Sequence, residues 1–334
     1  MNTFFSFCAL LVKRISHIFL HRKRQEKWAI QIVKDLEYKL GGTLDEFTFN
    51  KIIKSYAVYV LMICDAFTQL NGRNTNDEEK QRLLYYFICS SLFDNFCDRK
   101  ELTNEQLFQI SFSPESYTAA TISEKMFLHV HLFLLDKVQE KEVYLHVVHL
   151  LFQAQLDSDK QFSRSVTNEE LEVITKDKGG YSVLMSSFYL DEKYDDPERN
   201  CWFLLGYIIQ LTNDLYDIYK DLQEGSETLP NRMNDANTFK AFFENIVTEL
   251  SKNIEAIDAT GKRKKRFYFS MMNICSFGAV ALNQLCDIQA KHNGHLPALN
   301  TLDRKELIID MERFSNVWCA TRYSYQKFKQ YQSS

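Results

Sequence analysis

The sequence contains few of the two residues that most often interrupt helices. Its 334 residues include 10 Gly and 4 Pro, where average usage would give roughly 23 and roughly 17. Sandwiches, propellers and Gly-rich dinucleotide-binding folds need frequent tight turns, so this composition disfavours them. Between the few breaks the chain is amphipathic and rich in helix formers, which predicts an all-α protein. We expect helices at 24–40, 45–70, 77–97, 103–110, 122–138, 141–158, 167–176, 181–190, 198–222, 236–258, 263–291 and 302–330.

The sequence also lacks a cysteine pattern and a strong net charge. The 8 Cys residues include no C-x-x-C pair, which disfavours a disulfide framework and predicts reduced cysteines in a cytoplasmic protein. A net charge of −4 gives no electrostatic basis for a nucleic-acid partner. Repeats, low-complexity tracts and long linkers are absent as well. We therefore expect one domain over residues 24–334, preceded by a leader over residues 1–23.

The leader combines an apolar run with a basic cluster. Residues 4–12 read FFSFCALLV, a run too short to span a bilayer and without the flanking features of a signal peptide. Basic residues follow at Lys13 and Arg14 and again over residues 21–24. Two alternatives stay open: a peripheral contact with a membrane interface, which would make the protein membrane-associated, or a leading helix that packs on the rest of the protein.

A first acidic segment ends a helix that should be buried. Residues 84–93 are apolar nearly all round, and Asp94 and Asp98 follow. Because they are four residues apart, the two carboxylates lie on one face of the helix. They repel each other unless a cation or solvent lies between them. A solvated helix end with Arg99 and Lys100 as partners is the alternative interpretation.

A second acidic segment follows the apolar run of residues 202–211. Asn213, Asp217 and Asp221 are spaced by four and therefore form one stripe on a helix. Asp214 is placed to join Asp217 and Asp221. Mg²⁺ prefers such oxygen ligands and commonly shares its coordination sphere with substrate phosphates. Two acidic stripes on facing helices could hold a diphosphate through bridging Mg²⁺.

Taken together, these segments resemble the class I isoprenoid synthase superfamily, which includes trans-prenyltransferases, squalene and phytoene synthases, and terpene cyclases. Residues 94–98 resemble its first aspartate-rich motif, with Asn95 where many members have a second Asp. Residues 210–213 (QLTN) with Asp217 and Asp221 resemble the squalene and phytoene synthase form of the second motif. Asn213, Asp217 and Asp221 also resemble the metal triad of terpene cyclases. The resemblance implies a helical bundle with a central active-site cavity.

The resemblance also implies roles for individual residues. Lys178, within residues 175–182, would contact the diphosphate beside a break in the central helix at Gly179 and Gly180. Arg322 and Tyr323 resemble a pair that senses diphosphate from the last helix. The cofactor would be Mg²⁺, as three ions bound together with the diphosphate. The metal ligands would be Asp94, Asp98, Asn213, Asp214, Asp217 and Asp221. Aromatic candidates for the cavity wall are Phe93, Tyr181, Phe188, Tyr207 and Tyr216.

The implied function is that of a class I terpene synthase, a lyase that ionises a prenyl diphosphate to a cyclic or linear terpene. Residues 41–46 (GGTLDE) are acidic where chain-elongating members are basic, which disfavours head-to-tail elongation because a second diphosphate needs cationic partners. A prenyltransferase of the squalene/phytoene synthase or trans-prenyl diphosphate synthase type stays an alternative. So does a non-catalytic isoprenoid-binding member, which Asn95 favours. A homodimer is also left open.

Overall fold

The computed structural model describes residues 3–333, and within this range the chain is helical without any β-strand. The predicted all-α class is therefore confirmed. None of the eight cysteines forms a disulfide. The helices are α1 (Thr3–Leu40), α2 (Glu46–Tyr59), α3 (Asp65–Thr68), α4 (Asp77–Asp98), α5 (Asn104–Phe112), α6 (Ile122–Lys137), α7 (Lys141–Asp157), α8 (Asn168–Met185), α9 (Asp196–Tyr216), α10 (Ile218–Glu224), α11 (Ala236–Ala256), α12 (Gly261–Lys291), α13 (Arg304–Leu307) and α14 (Phe314–Tyr331).

Helix ends are set by local residues that the sequence displays. Gly41 adopts a positive φ of 73° directly after α1, a conformation that glycine reaches without a steric penalty. The side chain of Asn76 accepts a hydrogen bond from the backbone N–H of Glu79 at the start of α4, and the side chain of Glu79 accepts one from the backbone N–H of Asn76. Asp195 and Glu198 form the same reciprocal cap on α9. These capping boxes satisfy backbone donors that would otherwise lack partners.

The chain divides into two compact units. The first comprises the start of α1 as far as Leu10, residues 146–185, and the chain from Lys193 onward. Its core is built where α8, α9, α11, α12 and α14 pack together. Trp202, Phe243 and Phe328 are among its largest fully buried side chains. This unit contains the second acidic segment.

The second unit comprises residues 11–145 and 186–192. Helix α4 packs between α2 and α6 in its core, where Leu83 and Phe96 are buried. The guanidinium of Arg73 donates to both oxygens of the buried Glu79, at 2.7 and 2.8 Å. This unit contains the first acidic segment. The predicted division into a leader and one domain, and the predicted central cavity, stay predictions.

Several helix boundaries differ from the predicted ones. Helix α1 begins at Thr3 rather than at residue 24. The predicted helix over 45–70 contains a π-helical turn at Val60–Cys64 and a 3₁₀ turn at Gln69–Asn71. The predicted helix over 302–330 is two helices, α13 and α14. Apolar periodicity continues through such turns, so it cannot locate them.

The predicted break at Gly179 and Gly180 is wrong, because α8 passes through both glycines as one continuous α-helix. The predicted helix over 198–222, in contrast, does bend. Helix α9 ends at Tyr216, and α10 begins at Ile218 after Asp217 at the junction. Paired glycines weaken a helix but also allow another helix to approach closely. In this chain α9 packs closely against α8 at Gly179, and α8 stays continuous.

Candidate functional site

Helices α8 and α9 approach each other at a point where only glycine fits. A Cβ on Gly206 would lie 2.2 Å from the carbonyl oxygen of Gly179, and a Cβ on Gly179 would lie 2.5 Å from that of Gly206. The helices run antiparallel, since residues before Gly179 on α8 meet residues after Gly206 on α9. This contact places Thr175, one turn before Gly179, opposite Asp214.

Asp214 is a buried carboxylate held by both helices. The residue Asp214 is only 7% exposed. Oδ1 accepts a hydrogen bond from Gln210 Nε2 at 2.8 Å, and Oδ2 accepts one from the Thr175 hydroxyl at 3.4 Å. Burial raises the pKa of Asp214 to about 6, against the opposing effects of the Gln210 hydrogen bond and the Lys178 charge. The charge of the half-buried Lys178 on α8 thus acts on Asp214 on α9.

The other acidic residues lie where α9 gives way to α10. Asp217 has φ −95° and ψ 4° at the junction. Its backbone N–H still donates to Asn213 at 2.9 Å, and that of Asp221 donates to Asp217 at 2.8 Å. The i to i+4 spacing of the predicted stripe is thus kept across the bend. Asn213 and Asp217 are exposed, whereas Asp221 is half-buried.

The charges of this stripe act on one another. The pKa of Asp221 is raised to about 7, first by burial and then by the negative charges of Asp214 and Asp217. A nearby positive charge would favour the ionised carboxylates and lower these pKa values. The donors are carboxylate and amide oxygens, which are the ligands that Mg²⁺ prefers. We refer to Lys178, Asn213, Asp214, Asp217 and Asp221 as the acidic cluster.

The acidic cluster is a partial coordination set. Among residues 3–333, no three His, Cys, Asp or Glu side chains stand together as a ready-made metal site. Mg²⁺ commonly takes only one or two protein carboxylates and completes its octahedron with water and substrate phosphate oxygens. The donor set fits Mg²⁺ that arrives with a phosphorylated ligand.

The first acidic segment has a different environment, in the second unit. Asp94 Oδ2 accepts a hydrogen bond from Lys51 Nζ on α2 at 3.1 Å, and each side chain is about one-third exposed. Asp98 is exposed at the last residue of α4. Arg99, the alternative partner suggested by the sequence, instead pairs with Asp45 at 3.2 Å and with Glu101 at 3.6 Å.

Asn95 lies in the contact between α2 and α4. Its Nδ2 donates to the Thr48 hydroxyl oxygen at 2.7 Å, and that hydroxyl in turn donates to Asp45 Oδ2 at 2.7 Å. Both Asn95 and Thr48 are buried. The residue that replaces the second Asp of the resembled motif therefore has a packing role in this chain.

The predicted aromatic wall residues occur in both units. Tyr181 is in edge contact with Phe203 on α9, and Tyr207 is buried. The Tyr216 hydroxyl donates to the carbonyl oxygen of Phe277 at 3.4 Å. In the second unit, Phe93 lies 6.3 Å from Phe127 and Phe188 lies 5.6 Å from Tyr144, measured between ring centroids. Their place in a cavity wall stays a prediction.

The predicted diphosphate-sensing pair lies on α14. Arg322 is exposed. The hydroxyl of Tyr323 is buried, and its pKa is raised above the ordinary value by burial and by neighbours that include Cys275 and Glu244. These neighbours of Tyr323 belong to α12 and α11 rather than to the acidic cluster. The sensing role stays a prediction.

Sequence reasoning gave no role to several residues that shape these sites. Gln210 could have been found, because it is four residues before Asp214 on the same helix. Gly206 was also detectable as a glycine inside an apolar helix, which often marks a close backbone approach. Thr175 and Lys51 reach their partners across 39 and 43 residues, so no local pattern identifies them.

The chain is similar in fold to a solved structure over nearly its whole length. No family model matches the chain, and no curated protein matches it. A crystal structure of a dehydrosqualene synthase with a bound ligand is similar over 95% of this chain and 99% of its own, with 16% sequence identity and a TM-score of 0.42. What the chain does has to follow from the chemistry of its own residues.

Proposed function

We propose that the chain is a class I terpene synthase, a lyase that ionises a prenyl diphosphate and releases diphosphate. The observation that carries this proposal is the acidic cluster, in which the charge of Lys178 acts on Asp214 and the charges of Asp214 and Asp217 act on Asp221. A diphosphate needs both: direct cationic donors for its oxygens and divalent cations to neutralise its remaining charge. The motif resemblance supports the same conclusion.

In this proposal each acidic segment contributes residues that hold Mg²⁺, and the motif resemblance implies three ions. Asn213, Asp217 and Asp221 act from one segment, and Asp94 and Asp98 from the other. Bound Mg²⁺ supplies charge neutralisation that makes diphosphate a competent leaving group. Asp214, already hydrogen-bonded to Gln210 and Thr175, adds negative charge near Lys178, which donates to a diphosphate oxygen. Arg322 and Tyr323 would add further contacts to the diphosphate.

The reaction breaks the C–O bond of the substrate, and its electron pair leaves with the diphosphate. An allylic cation remains, which the faces of aromatic rings stabilise. Tyr181, Tyr207 and Tyr216, with Phe93 and Phe188, are the proposed wall residues. Exclusion of water protects the cation from quenching. Loss of a proton, with the released diphosphate as the acceptor, gives the terpene.

The test is an assay of the purified full-length chain with Mg²⁺ and prenyl diphosphates of several chain lengths, with and without isopentenyl diphosphate. Diphosphate release is measured together with the products by gas chromatography and mass spectrometry. A hydrocarbon of the substrate's own carbon number supports the synthase. A product of doubled length would instead identify a transferase that joins two chains, and an extended diphosphate would identify a chain-elongating enzyme. No release with any chain length would contradict the proposal that the chain is an enzyme.

Two substitutions connect the activity to the acidic segments. Asp94→Ala and Asp217→Ala should each abolish diphosphate release, because each removes an oxygen ligand of Mg²⁺. The control is Asp258→Ala, which removes an exposed carboxylate outside both segments and should leave the rate unchanged. Chelation with EDTA should stop the reaction and added Mg²⁺ should restore it. Full activity of Asp217→Ala would contradict the assignment of the second segment.

A further inference from the structure

Between residues 11 and 25, α1 turns several polar side chains toward the rest of the second unit. Arg14 donates to the backbone carbonyl of Met62, and His17 Nε2 lies 2.9 Å from Oδ2 of the buried Asp65. Gln25 accepts a hydrogen bond from the Tyr56 hydroxyl at 3.2 Å. These residues follow helical spacing and define one face of α1.

The opposite face of the same segment is apolar and exposed. Val12, Phe19 and Leu20 are 64%, 77% and 75% exposed, and Ile15 is 45% exposed. A surface helix of a soluble protein normally turns its apolar side inward. We call Val12, Ile15, Phe19 and Leu20 the outer face of α1. Clustered large apolar side chains of this kind mark a surface that binds an apolar partner, such as another protein or a membrane.

The basic residues around the outer face indicate which apolar partner binds there. Residues 3–34 contain seven Lys or Arg residues and one acidic residue, Glu26, although the whole chain has a net charge of −4. Lys13, Lys23 and Arg24 flank the outer face and are exposed. A second copy of this helix would bring like charges together, which is unfavourable. A bilayer with anionic headgroups offers both an apolar interior and the complementary charge.

The inward contacts also indicate how the helix would lie. Helix α1 contains an 18-residue window of mean hydropathy 1.5 that is only 11% buried, and by length and composition it could cross a membrane. Two other helical segments, Glu46–Asn71 and Gly261–Lys291, meet the same criteria but are 50% and 72% buried. Crossing would separate Arg14 and His17 from Met62 and Asp65 and transfer them to hydrocarbon, which is strongly unfavourable. Lying in the interface keeps both contacts.

We propose that the outer face of α1 docks the protein on the surface of an anionic lipid bilayer, with Phe19 and Leu20 inserted among the acyl chains and Lys23 and Arg24 at the headgroups. This surface is separate from the acidic cluster and does not depend on the proposed function.

The test is sedimentation of the full-length chain with vesicles. One set contains phosphatidylcholine alone, and the other contains phosphatidylcholine mixed with phosphatidylglycerol. We expect binding to the anionic vesicles that weakens as salt is raised, because counterions screen the basic residues. The double variants F19S/L20S and K23E/R24E should each lower the partition coefficient by about tenfold or more. Burial of one large apolar side chain contributes about tenfold or more, and each basic residue near an anionic surface contributes about fivefold.

Matched controls lie further along the same helix. Tyr38 is 92% exposed and Lys34 is exposed, so Tyr38→Ser and Lys34→Glu repeat the chemistry outside the outer face and should leave binding unchanged. Phe19→Trp gives a readout without removing an apolar side chain. Its fluorescence should shift to shorter wavelength on anionic vesicles and be quenched by brominated lipid.

Three results would overturn the proposal. The first is no sedimentation with anionic vesicles at low salt. The second is binding that F19S/L20S leaves unchanged while a Trp at position 19 stays unquenched. The third is a lipid-free dimer, seen by analytical ultracentrifugation, that F19S/L20S dissociates, because the outer face would then be covered by a second copy of the chain.

Discussion

Asp214 gives the sharpest quantitative test of the acidic cluster. Its carboxyl is buried at the α8–α9 contact, where Gln210 and Thr175 hold its two oxygens. The substitution Asp214→Asn keeps the size of the side chain and an oxygen that can accept from Gln210. It removes the ability to ionise and replaces Oδ2 with an amide nitrogen, so the Thr175 hydroxyl must accept a hydrogen bond there instead of donating one. The variant therefore measures what the negative charge does to folding.

The sign of the effect follows from the direction of the pKa shift. The pKa of Asp214 is raised from 3.8 to about 6, mainly by burial, so the folded chain holds this proton more tightly than the unfolded chain. Folding is unaffected by this group below the unfolded value, and its ionisation destabilises the folded state as the pH rises through the folded value. A shift of about two pKa units corresponds to about 3 kcal/mol, at about 1.4 kcal/mol per unit. We expect Asp214→Asn to be more stable than the natural chain by about 3 kcal/mol at neutral pH and nearly equal to it at about pH 4.

The assay is urea unfolding followed by far-ultraviolet circular dichroism at several pH values between about 4 and about 7.5. The informative quantity is the difference in unfolding free energy between the two chains, which should grow with pH. Repeating the series with Mg²⁺ and inorganic diphosphate should reduce the difference, because a cation at the stripe favours the ionised carboxylate.

Asp258→Asn is the control, since it changes an exposed carboxylate outside the acidic cluster and should give no comparable pH-dependent difference. A stability difference between the Asp214→Asn variant and the natural chain that stays constant across the pH range would refute the assignment of a buried, ionisable carboxylate at this position. A variant that is less stable than the natural chain at neutral pH would refute the sign, and would mean that the Lys178 charge outweighs the effect of burial.

Three further substitutions test the helix contacts. Gly206→Ala places a Cβ 2.2 Å from the Gly179 carbonyl oxygen and should lower the unfolding free energy by about 2 kcal/mol or more. The control Gly261→Ala, where no atom lies within 4 Å of the new Cβ, should raise the unfolding free energy by about 0.5 kcal/mol. Equal melting temperatures of the two variants would contradict the close contact. Lys51→Met removes the cation 3.1 Å from Asp94 and should change the unfolding free energy by less than about 1 kcal/mol. It should also lower the Mg²⁺ concentration that gives half-maximal diphosphate release, whereas the control Lys54→Met on the same helix should not. An unchanged Mg²⁺ requirement would show that Lys51 does not compete with Mg²⁺ for this carboxylate. Asn95→Asp should destabilise the chain by about 1 to 3 kcal/mol, because it leaves buried acceptors without a donor. Thermal unfolding measures this beside the control Asn300→Asp, the same change at an exposed position outside both acidic segments, and an unaltered melting temperature of Asn95→Asp would count against the α2–α4 hydrogen bond.

The sequence was sufficient for the helical class and for many helix boundaries. Turn residues near Gly41 and Asn76 and the acidic start at Asp77 correctly predicted where α1 ends and α4 begins. Such caps are made by residues close together in the chain, so a local pattern contains all the information needed. The spacing of Asn213, Asp217 and Asp221 also predicted a stripe that the backbone hydrogen bonds preserve.

The sequence misled where the outcome depended on a distant partner. Two adjacent glycines predicted a broken helix at residues 179–180, yet α8 is continuous there. The sequence pattern near residue 179 does not include Gly206, which is 27 residues away and allows the backbones of α8 and α9 to meet. Helix α1 gives a second case. Its start could not be read from amphipathic periodicity, because between residues 12 and 20 large apolar side chains are exposed, whereas Arg14 and His17 are paired with Met62 and Asp65.

The packing of Asn95 bears on the choice between an enzyme and a non-catalytic binding protein. The Thr48 hydroxyl already donates its proton to Asp45, so it can only accept from the side chain at position 95. The amide of Asn95 provides that donor at 2.7 Å, and an ionised Asp there would set one acceptor against another in a buried contact. The absence of a second Asp in the first motif is thus accounted for by the α2–α4 contact and does not by itself favour a non-catalytic protein. The choice depends on Asp94 and Asp217, whose removal either abolishes diphosphate release or does not.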